Sequence, residues 1–318
     1  MSMEDRQLDI ETDLIDLGPE SWREQIRQIS VANGFFEDLG RDHYAGFLQA
    51  GDNLFVTFEN AARVRNFAYG AEPRGYAYAR HDGWSHLALF SQDTSWFRDK
   101  AIYAFFDRLM DEGFFDGFGH VLFYGGDGGE AYAAAAYSVA APGATVIALR
   151  PQATLEAEMT GWDPRFRHER KADFTSRYGY APDMLDAAAQ AFVAFDPYER
   201  FDACHAALFR REHVTLLPCA LFGRELDHTF DRMGIHDLMI KLAMDRALGR
   251  RRFFQLIRAR RYDPTYTRDL VGHLLDRDHI RLAQLLCTYM IKRDKTGFFQ
   301  TKLDDISGEA GARAADAP

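Results

Sequence analysis

The fold is decided by residues 118–150, which read FGHVLFYGGDGGEAYAAAAYSVAAPGATVIALR. An apolar run over 120–124 enters a glycine-rich turn around Asp127, and an alanine-rich stretch over 130–140 and a second apolar run over 144–149 follow it. This order predicts a strand, a sharp turn, a helix and a second strand, which together form a βαβ unit. We therefore predict an α/β protein of three layers, α/β/α, whose middle layer is a mostly parallel sheet.

The turn has the pattern G-x-D-x-G. Gly125 and Gly129 stand two residues before and two residues after Asp127, where a strand and a helix approach too closely for a side chain. Such a turn lifts its central side chain above the carboxyl edge of the sheet, and the amide of the next residue, Gly128, points toward a developing oxyanion. The pattern predicts a nucleophile elbow whose central residue is an aspartate.

With this turn the chain resembles the α/β-hydrolase superfamily. More narrowly, it resembles bacterial hydrolase-like proteins associated with surface-polysaccharide genes, through Asp93-Thr94-Ser95-Trp96-Phe97 after one strand, the helix start Glu130-Ala131-Tyr132-Ala133-Ala134-Ala135, and Pro151-Gln152-Ala153-Thr154 after the next strand. The resemblance covers residues 50–230 and implies a sheet of the α/β-hydrolase type. The chain departs from the family's pattern where Asp127 replaces the elbow serine.

The resemblance implies two interpretations of Asp127. As in haloalkane dehalogenases and epoxide hydrolases, its carboxylate would attack carbon, and a histidine-activated water would hydrolyse the resulting ester. Alternatively, Asp127 is a loop residue of a degenerate site and caps the following helix. The family's chain order makes Asp196 the expected acid and His228 the expected base. In the catalytic case, Asp127→Asn would abolish hydrolase activity without unfolding the protein.

Several residues are candidates for substrate contact. Residues 151–182 are polar and too long for an ordinary connection, so they are predicted to form a lid-like excursion. Arg165 and Arg167 in this excursion could bind an anionic group, and Trp96 is expected to contact the substrate. A second oxyanion donor would come from the loop at 59–60, although no glycine-rich element follows that strand.

Two alternatives to a hydrolase remain open. A glycine-rich turn that opens a helix also suits an anion, and this turn faintly resembles the loop of the adenylate-cleaving family that includes phosphoadenosine-phosphosulfate reductases. Gly234-Ile235-His236 faintly resembles part of that family's C-terminal signature, but Tyr124 replaces the loop's serine and no cysteine directly precedes Gly234. The other alternative is a non-catalytic interaction protein on a hydrolase scaffold, with the C-terminal helices as its partner surface.

The composition of the chain indicates which kinds of partner it binds and in which cellular compartment it is located. The formal net charge of −10 argues against a nucleic-acid binder. Cys204, Cys219 and Cys287 match no metal spacing and fit a reducing compartment, and no metal or cofactor is expected. The N-terminus lacks a signal-peptide h-region, and no run reaches the ~20 apolar residues of a membrane span. We expect a cytoplasmic protein with a small-molecule or saccharide-linked substrate.

The pattern of elements predicts four regions. Within the main one, apolar runs over 44–49 and 53–59 flank Ala50-Gly51-Asp52 and predict a β-hairpin. The predicted regions are an N-terminal helical extension (1–33), a hydrolase-like domain (34–232), a helical C-terminal region (233–307) and a disordered tail (308–318).

Overall fold

The computed structural model describes Ile10, residues 13–293 and residues 296–315. In this part of the chain the strands are β1 (Gly34–Leu39), β2 (His43–Leu48), β3 (Asn53–Asn60), β4 (Ser85–Ser91), β5 (His120–Gly125), β6 (Thr145–Leu149), β7 (Gln190–Phe195) and β8 (Val214–Pro218). The α-helices are α1 (Pro19–Asn33), α2 (Ala61–Phe67), α3 (Gly75–His81), α4 (Lys100–Asp111), α5 (Gly128–Tyr137), α6 (Ala157–Thr160), α7 (Ala181–Met184), α8 (Arg200–Leu208), α9 (Leu226–Arg232), α10 (His236–Met244), α11 (Arg250–Leu256), α12 (Pro264–Asp276), α13 (Ile280–Ile291) and α14 (Phe298–Ala315).

The strands form one eight-stranded sheet in the order β1-β2-β4-β3-β5-β6-β7-β8. β2 pairs antiparallel with both β1 and β4, whereas the neighbours from β4 to β8 are parallel. This strand order with an antiparallel second strand is the α/β-hydrolase arrangement. The predicted α/β class and sheet type are therefore confirmed.

The predicted hairpin between residues 44–49 and 53–59 is wrong. β3 pairs in parallel with β4 and β5, so β4 lies between β2 and β3 in the sheet. The hairpin partner of β2 is β1, whose Phe35 faces Phe47 in the register. The continuous apolar run of β3 suits a central strand that is buried on both faces. The short connection between β2 and β3 suggested a hairpin and gave no sign that β4 lies between them.

Side chains of the central strands alternate between two cores. On β3, Val56 packs in the core beneath α4 and α5, whereas Phe55 packs in the core beneath α9 and α10. The alanines of α5 are fully buried, and their small side chains let this helix lie close to the sheet. A Cβ at Gly125 would lie 2.2 Å from the carbonyl oxygen of Glu130, so the predicted close approach of β5 and α5 is present.

The C-terminal helices divide differently from the prediction. α9 to α11 belong to the layer on one sheet face, where Met239 and Ile240 share a core with Leu122 of β5. α12, α13 and α14 pack around a separate small core. α14 continues to Ala315, beyond the predicted end of the helical region at 307.

Two further predictions concern surfaces. Residues 151–182 bury Phe174 and Tyr178 in the core that holds α5, so this excursion packs against the domain. The predicted partner surface stays a prediction, although α13 exposes apolar side chains at helical spacing: Leu282, Leu285 and Tyr289. Among the described helices, none combines the length and apolar character needed to cross a membrane.

Candidate active site at the carboxyl edge of the sheet

The turn after β5 places its sharp corner at a glycine. Gly128 has a φ of +38°, in the left-handed region, whereas Asp127 is extended with φ −165° and ψ 150°. A Cβ at Gly129 would lie 2.2 Å from the carbonyl oxygen of Ser95, so the loop after β4 packs directly on the turn. In a nucleophile elbow the nucleophile is the residue with the strained, left-handed backbone. Here that residue is Gly128, which has no side chain.

The carboxylate of Asp127 points to two arginines. Its Oδ1 lies 3.0 Å from Nη2 of Arg150, and its Oδ2 lies 3.6 Å from Nη1 of Arg63. Asp127 is the N-cap residue of α5, yet its side chain accepts no hydrogen bond from the helix amides. Burial raises the pKa of this carboxyl group, against the opposing effect of Arg150. Asp127 is therefore a charge-paired side chain that lies next to the corner residue Gly128.

The predicted acid and base lie on the expected loops. Asp196 follows β7, is buried, and accepts the backbone N–H groups of Tyr198 at 2.9 Å and Gly223 at 2.8 Å. His228 lies on α9 and lines the larger cleft. Among the described residues, no hydrogen bond or ion pair joins Asp127 to Asp196 or to His228. Their catalytic roles stay predictions.

The larger cleft at this edge has a volume of about 710 Å³, which lies within the range of small-molecule sites. It runs from the end of β5 to the segment that connects α2 and α3. Two aromatic side chains on its rim are exposed, Phe67 at 72% and Tyr69 at 101%. Its polar lining includes residues from several separate stretches of the chain: Glu59, Arg63, Arg74, Tyr124, Glu130, Asp227, His228 and Asp231.

A hydrogen-bonded cluster forms one wall of this cleft. The hydroxyl of Tyr124 donates to Oδ1 of Asp227 at 2.5 Å and lies 2.7 Å from Nε2 of His236. Nδ1 of the same imidazole lies 2.7 Å from Oδ1 of Asp231. Burial opposes ionisation of Asp227, but the guanidinium of Arg74 at 3.0 Å acts together with His236, Tyr124 and Arg63, and their combined effect holds the pKa of that carboxyl at about 2.

Three members of this cluster have the composition of a metal site. The carboxylate and imidazole donors of Asp227, Asp231 and His236 lie within 4.8 Å of one another. Arg74 reaches the same groups: its Nη2 lies 3.0 Å from Asp227 and 3.5 Å from Asp231, and its Nη1 lies 3.3 Å from His236. The guanidinium of Arg74 thus supplies the positive charge next to these carboxylate and imidazole groups.

The loop predicted to supply a second oxyanion donor already donates a hydrogen bond to Glu130. Oε1 of Glu130 accepts the backbone N–H of Asn60 at 3.2 Å, and Asn60 belongs to the predicted loop at 59–60. Burial raises the pKa of Glu130 to about 8, with Arg63 opposing and Asp127 adding to the shift. The raised pKa favours the neutral carboxylic acid form of Glu130 near pH 7.

Arg63 stands between the larger cleft and a smaller one of about 390 Å³. Its guanidinium lies 3.6 Å from Asp127, 3.8 Å from Asp227 and 3.9 Å from Glu130. No side-chain hydrogen bond of Arg63 is formed within the described part of the chain. A half-buried guanidinium with free N–H groups is a strong donor for a bound ligand.

The predicted substrate contacts lie away from both clefts. Trp96 is buried in the aromatic core beside α5, against Tyr132 and Phe166. Arg165 forms ion pairs with the buried Asp163 at 2.8 Å and Asp202 at 2.6 Å. Arg167 is exposed on the excursion. None of the three lines a described cleft.

Sequence reasoning missed most of the polar lining. Arg63, Arg74 and Asp227 are separated by up to 164 positions in sequence, and none belongs to a recognisable pattern. Arg150 gave a partial signal, since an arginine directly after β6 stands beside the turn after β5 in a parallel sheet. Tyr124 likewise directly precedes the turn, but its partners on α9 and α10 could not be inferred.

Comparison with known proteins adds little beyond the fold. No family profile matches the chain, and no curated protein matches it. Similar solved structures include an esterase from Pyrobaculum calidifontis, with a TM-score of 0.41 and 11% identity over 74% of this chain and 95% of that chain. The capsule O-acetyltransferase of Neisseria meningitidis serogroup A has a TM-score of 0.39 and 7% identity, covering 61% and 90%. The glycosylation-associated Gap123 complex of Streptococcus agalactiae has a TM-score of 0.43 and 13% identity, covering 67% and 47%. At these scores no activity is transferred to this chain, and the α/β-hydrolase type of its sheet rests on the strand order.

Proposed function

We propose that this protein binds a neutral, oxygen-bearing small molecule in the larger cleft, on a hydrolase scaffold whose elbow contributes no covalent nucleophile. The observation that carries the proposal is Arg63, whose guanidinium faces both clefts without a side-chain hydrogen bond within the described residues. Five guanidinium donors in a half-buried site favour a ligand that supplies acceptor oxygens.

The surroundings of Arg63 favour a ligand without net charge. Asp127 and Asp227 lie 3.6 and 3.8 Å from the guanidinium of Arg63. The same two carboxylates pair with Arg150 and Arg74 at 3.0 Å, so an anionic ligand would have to compete with both carboxylates for these guanidinium groups. The neutral Glu130 adds a donor and requires no counterion. A carbonyl or hydroxyl oxygen accepts from both groups, while the exposed rings of Phe67 and Tyr69 offer a surface for an apolar part of the ligand.

The proposal treats the elbow as degenerate. Gly128 takes the corner position, and the carboxylate of Asp127 is directed at Arg150 rather than at a histidine. Asp127 then acts by orienting Arg150 and Arg63. This choice separates the proposal from the dehalogenase-like interpretation, in which Asp127 would form an ester with the substrate.

Three probes that share a phenyl ring test the charge preference: acetanilide (neutral), benzoate (anionic) and phenyltrimethylammonium (cationic). We expect acetanilide to bind most tightly in calorimetric titrations. Arg63→Ala should weaken its binding about 10- to 150-fold, because a hydrogen bond to a charged group contributes roughly 1.5 to 3 kcal/mol. The matched control is Arg211→Ala, which removes an arginine that pairs with Asp183 on the surface. Preferred binding of benzoate, or equal affinity in Arg63→Ala, would contradict the proposal.

A further inference from the structure

A serine and a histidine form a close pair outside the elbow. Oγ of Ser95, in the loop after β4, lies 2.6 Å from Nε2 of His43 at the start of β2. Oγ also accepts the backbone N–H of Phe97 at 3.0 Å, so the serine hydrogen is free to be donated to the imidazole. Nδ1 of His43 is buried and has no hydrogen-bond partner within the described residues. A buried imidazole nitrogen without a partner calls for an explanation beyond packing.

The serine of this pair faces a cavity. Ser95 lines the smaller cleft of about 390 Å³ together with Asn60, Arg63, Asp127 and Glu130. The histidine is almost completely buried, at 8% exposure, and it packs against the ring of Phe97 at 5.5 Å. A nucleophile at the wall of a cleft with its base behind it is the arrangement that nucleophilic catalysis requires.

Oxyanion donors are available beside the serine. The first hydrogen bond of α5 runs from the N–H of Ala131 to the carbonyl of Asp127. The amides of 128–130 precede this bond and have no partner among the described hydrogen bonds. The backbone of Ser95 packs on Gly129 in that same turn. Free amides at a helix N-terminus stabilise negative charge that develops on a neighbouring oxygen.

We propose that Ser95 is a nucleophile activated by His43, and that it cleaves small carboxylic esters in the smaller cleft. This inference goes beyond the proposed function, because it concerns a different residue and a covalent reaction. The substrate is an ester rather than an amide, since no side chain in the described part of the chain hydrogen-bonds Nδ1 of the imidazole to orient it, and an ester has the better leaving group. Arg63 faces the same cleft and is placed to donate to the ester's acyl or alcohol portion.

The reaction is balanced without an added reactant other than water. Oγ of Ser95 attacks the carbonyl carbon while its proton moves to Nε2 of His43, and the carbonyl electron pair moves to oxygen. When the carbonyl re-forms, the carbon–oxygen bond to the alcohol breaks, and the alcohol leaves with the proton from His43. A water molecule then loses a proton to His43 and attacks the acyl-serine, which releases the carboxylic acid and restores the serine hydroxyl.

A purely structural role for the same pair makes different predictions. Phe97 has a φ of +54°, and the Ser95 hydroxyl accepts its N–H, so the serine could serve only to hold this turn. A structural hydroxyl does not react with acyl donors, and its behaviour is independent of the charge on His43. Burial lowers the pKa of His43, against the opposing charges of Asp99 and Asp42, so the imidazole is an available base at neutral pH.

The experiment incubates the full chain with p-nitrophenyl acetate, and separately with a fluorophosphonate, followed by intact-mass analysis and peptide mapping. We expect one adduct, located on Ser95, that is absent in Ser95→Ala and present in Ser307→Ala, an exposed serine on α14. His43→Gln should slow acylation about 100-fold or more, the usual contribution of a general base. Circular dichroism establishes that each variant is folded.

The wild-type protein provides a test that does not depend on the variants folding. The rate of acylation at Ser95 should rise with pH to a plateau, with a midpoint below the ordinary range of a histidine. No adduct on the folded protein, an adduct on another residue, or a rate that does not follow a histidine titration would each overturn the proposal. The probe-binding result for Arg63 is measured separately with unreactive ligands, so failure of one proposal is distinguishable from failure of the other.

Discussion

The hydroxyl of Tyr124 lies 2.5 Å from the carboxylate of Asp227, and this contact ties the end of β5 to α9 across 103 residues of sequence. The same hydroxyl lies 2.7 Å from His236 on α10. One phenol oxygen therefore holds together the strand that enters the turn and the two helices that form the opposite wall of the larger cleft.

Removal of this hydroxyl should be costly. In Tyr124→Phe the ring still fills its buried position, but the carboxylate of Asp227 and Nε2 of His236 both lose a partner. We expect the free energy of unfolding to fall by about 1 to 3 kcal/mol, the cost of unsatisfied buried polar groups, as measured by urea denaturation. Tyr289→Phe is the control, because that side chain is half exposed on α13. Equal stability of the two variants would show that the cluster does not hold the wall.

Arg165 should matter for stability and not for ligand binding. Its partners Asp163 and Asp202 are fully buried, and Arg165→Ala would leave their charges without their closest cation. We expect a loss of about 3 to 5 kcal/mol, against at most about 1 kcal/mol for Arg211→Ala on the surface. Thermal and urea unfolding measure both. If Arg165→Ala weakens acetanilide binding while stability is unchanged, the sequence-based role in substrate binding is the better interpretation.

The central turn was predictable because its constraints are local. Gly125 and Gly129 are required by close approaches to the backbone of Glu130 and Ser95, and such requirements are visible in five consecutive residues. The position of the corner was harder to predict, because a run of glycines on both sides of Asp127 lets the left-handed residue shift by one. The backbone of Asp127 is extended and Gly128 has the positive φ, so the left-handed residue lies one position later than predicted.

The rest of the site could not be inferred from spacing. The distance from Arg74 to Asp227 is set by how α9 packs on the sheet, and no local pattern encodes it. The same reason explains the hairpin error, since the insertion of β4 between β2 and β3 depends on pairing preferences of strands far apart in sequence. His43 and Ser95 came together in this way as well, because β2 starts beside the end of β4.

The elbow should resist alkylation. An aspartate nucleophile would be trapped as an ester by an epoxide or an alkyl halide, whereas a carboxylate held between Arg150 and Arg63 and lacking a histidine partner should not be. We expect intact-mass analysis of protein treated with styrene oxide or 1-bromobutane to show no ester on Asp127. Such an ester, absent in Asp127→Asn, would restore the dehalogenase-like interpretation.

Glu130 should give the protein a pH-dependent stability between the ordinary glutamate range and pH 8. Burial raises its pKa in the folded protein to about 8 from the ordinary glutamate value of 4.5, so between these values the unfolded chain has released a proton that the folded chain retains. Stability is then highest below pH 4.5 with respect to this group, and it falls by about 1.4 kcal/mol for each pH unit as the pH rises through this window.

Glu130→Gln keeps an acceptor for the N–H of Asn60 and cannot ionise, so its free energy of unfolding should lack this slope. Urea denaturation of both proteins at several pH values across the window measures the difference, and Glu158→Gln, at an exposed site, serves as the control. Parallel curves for wild type and Glu130→Gln would mean that Glu130 is ionised in the cleft, and the proposed donor to a neutral ligand would then be lost.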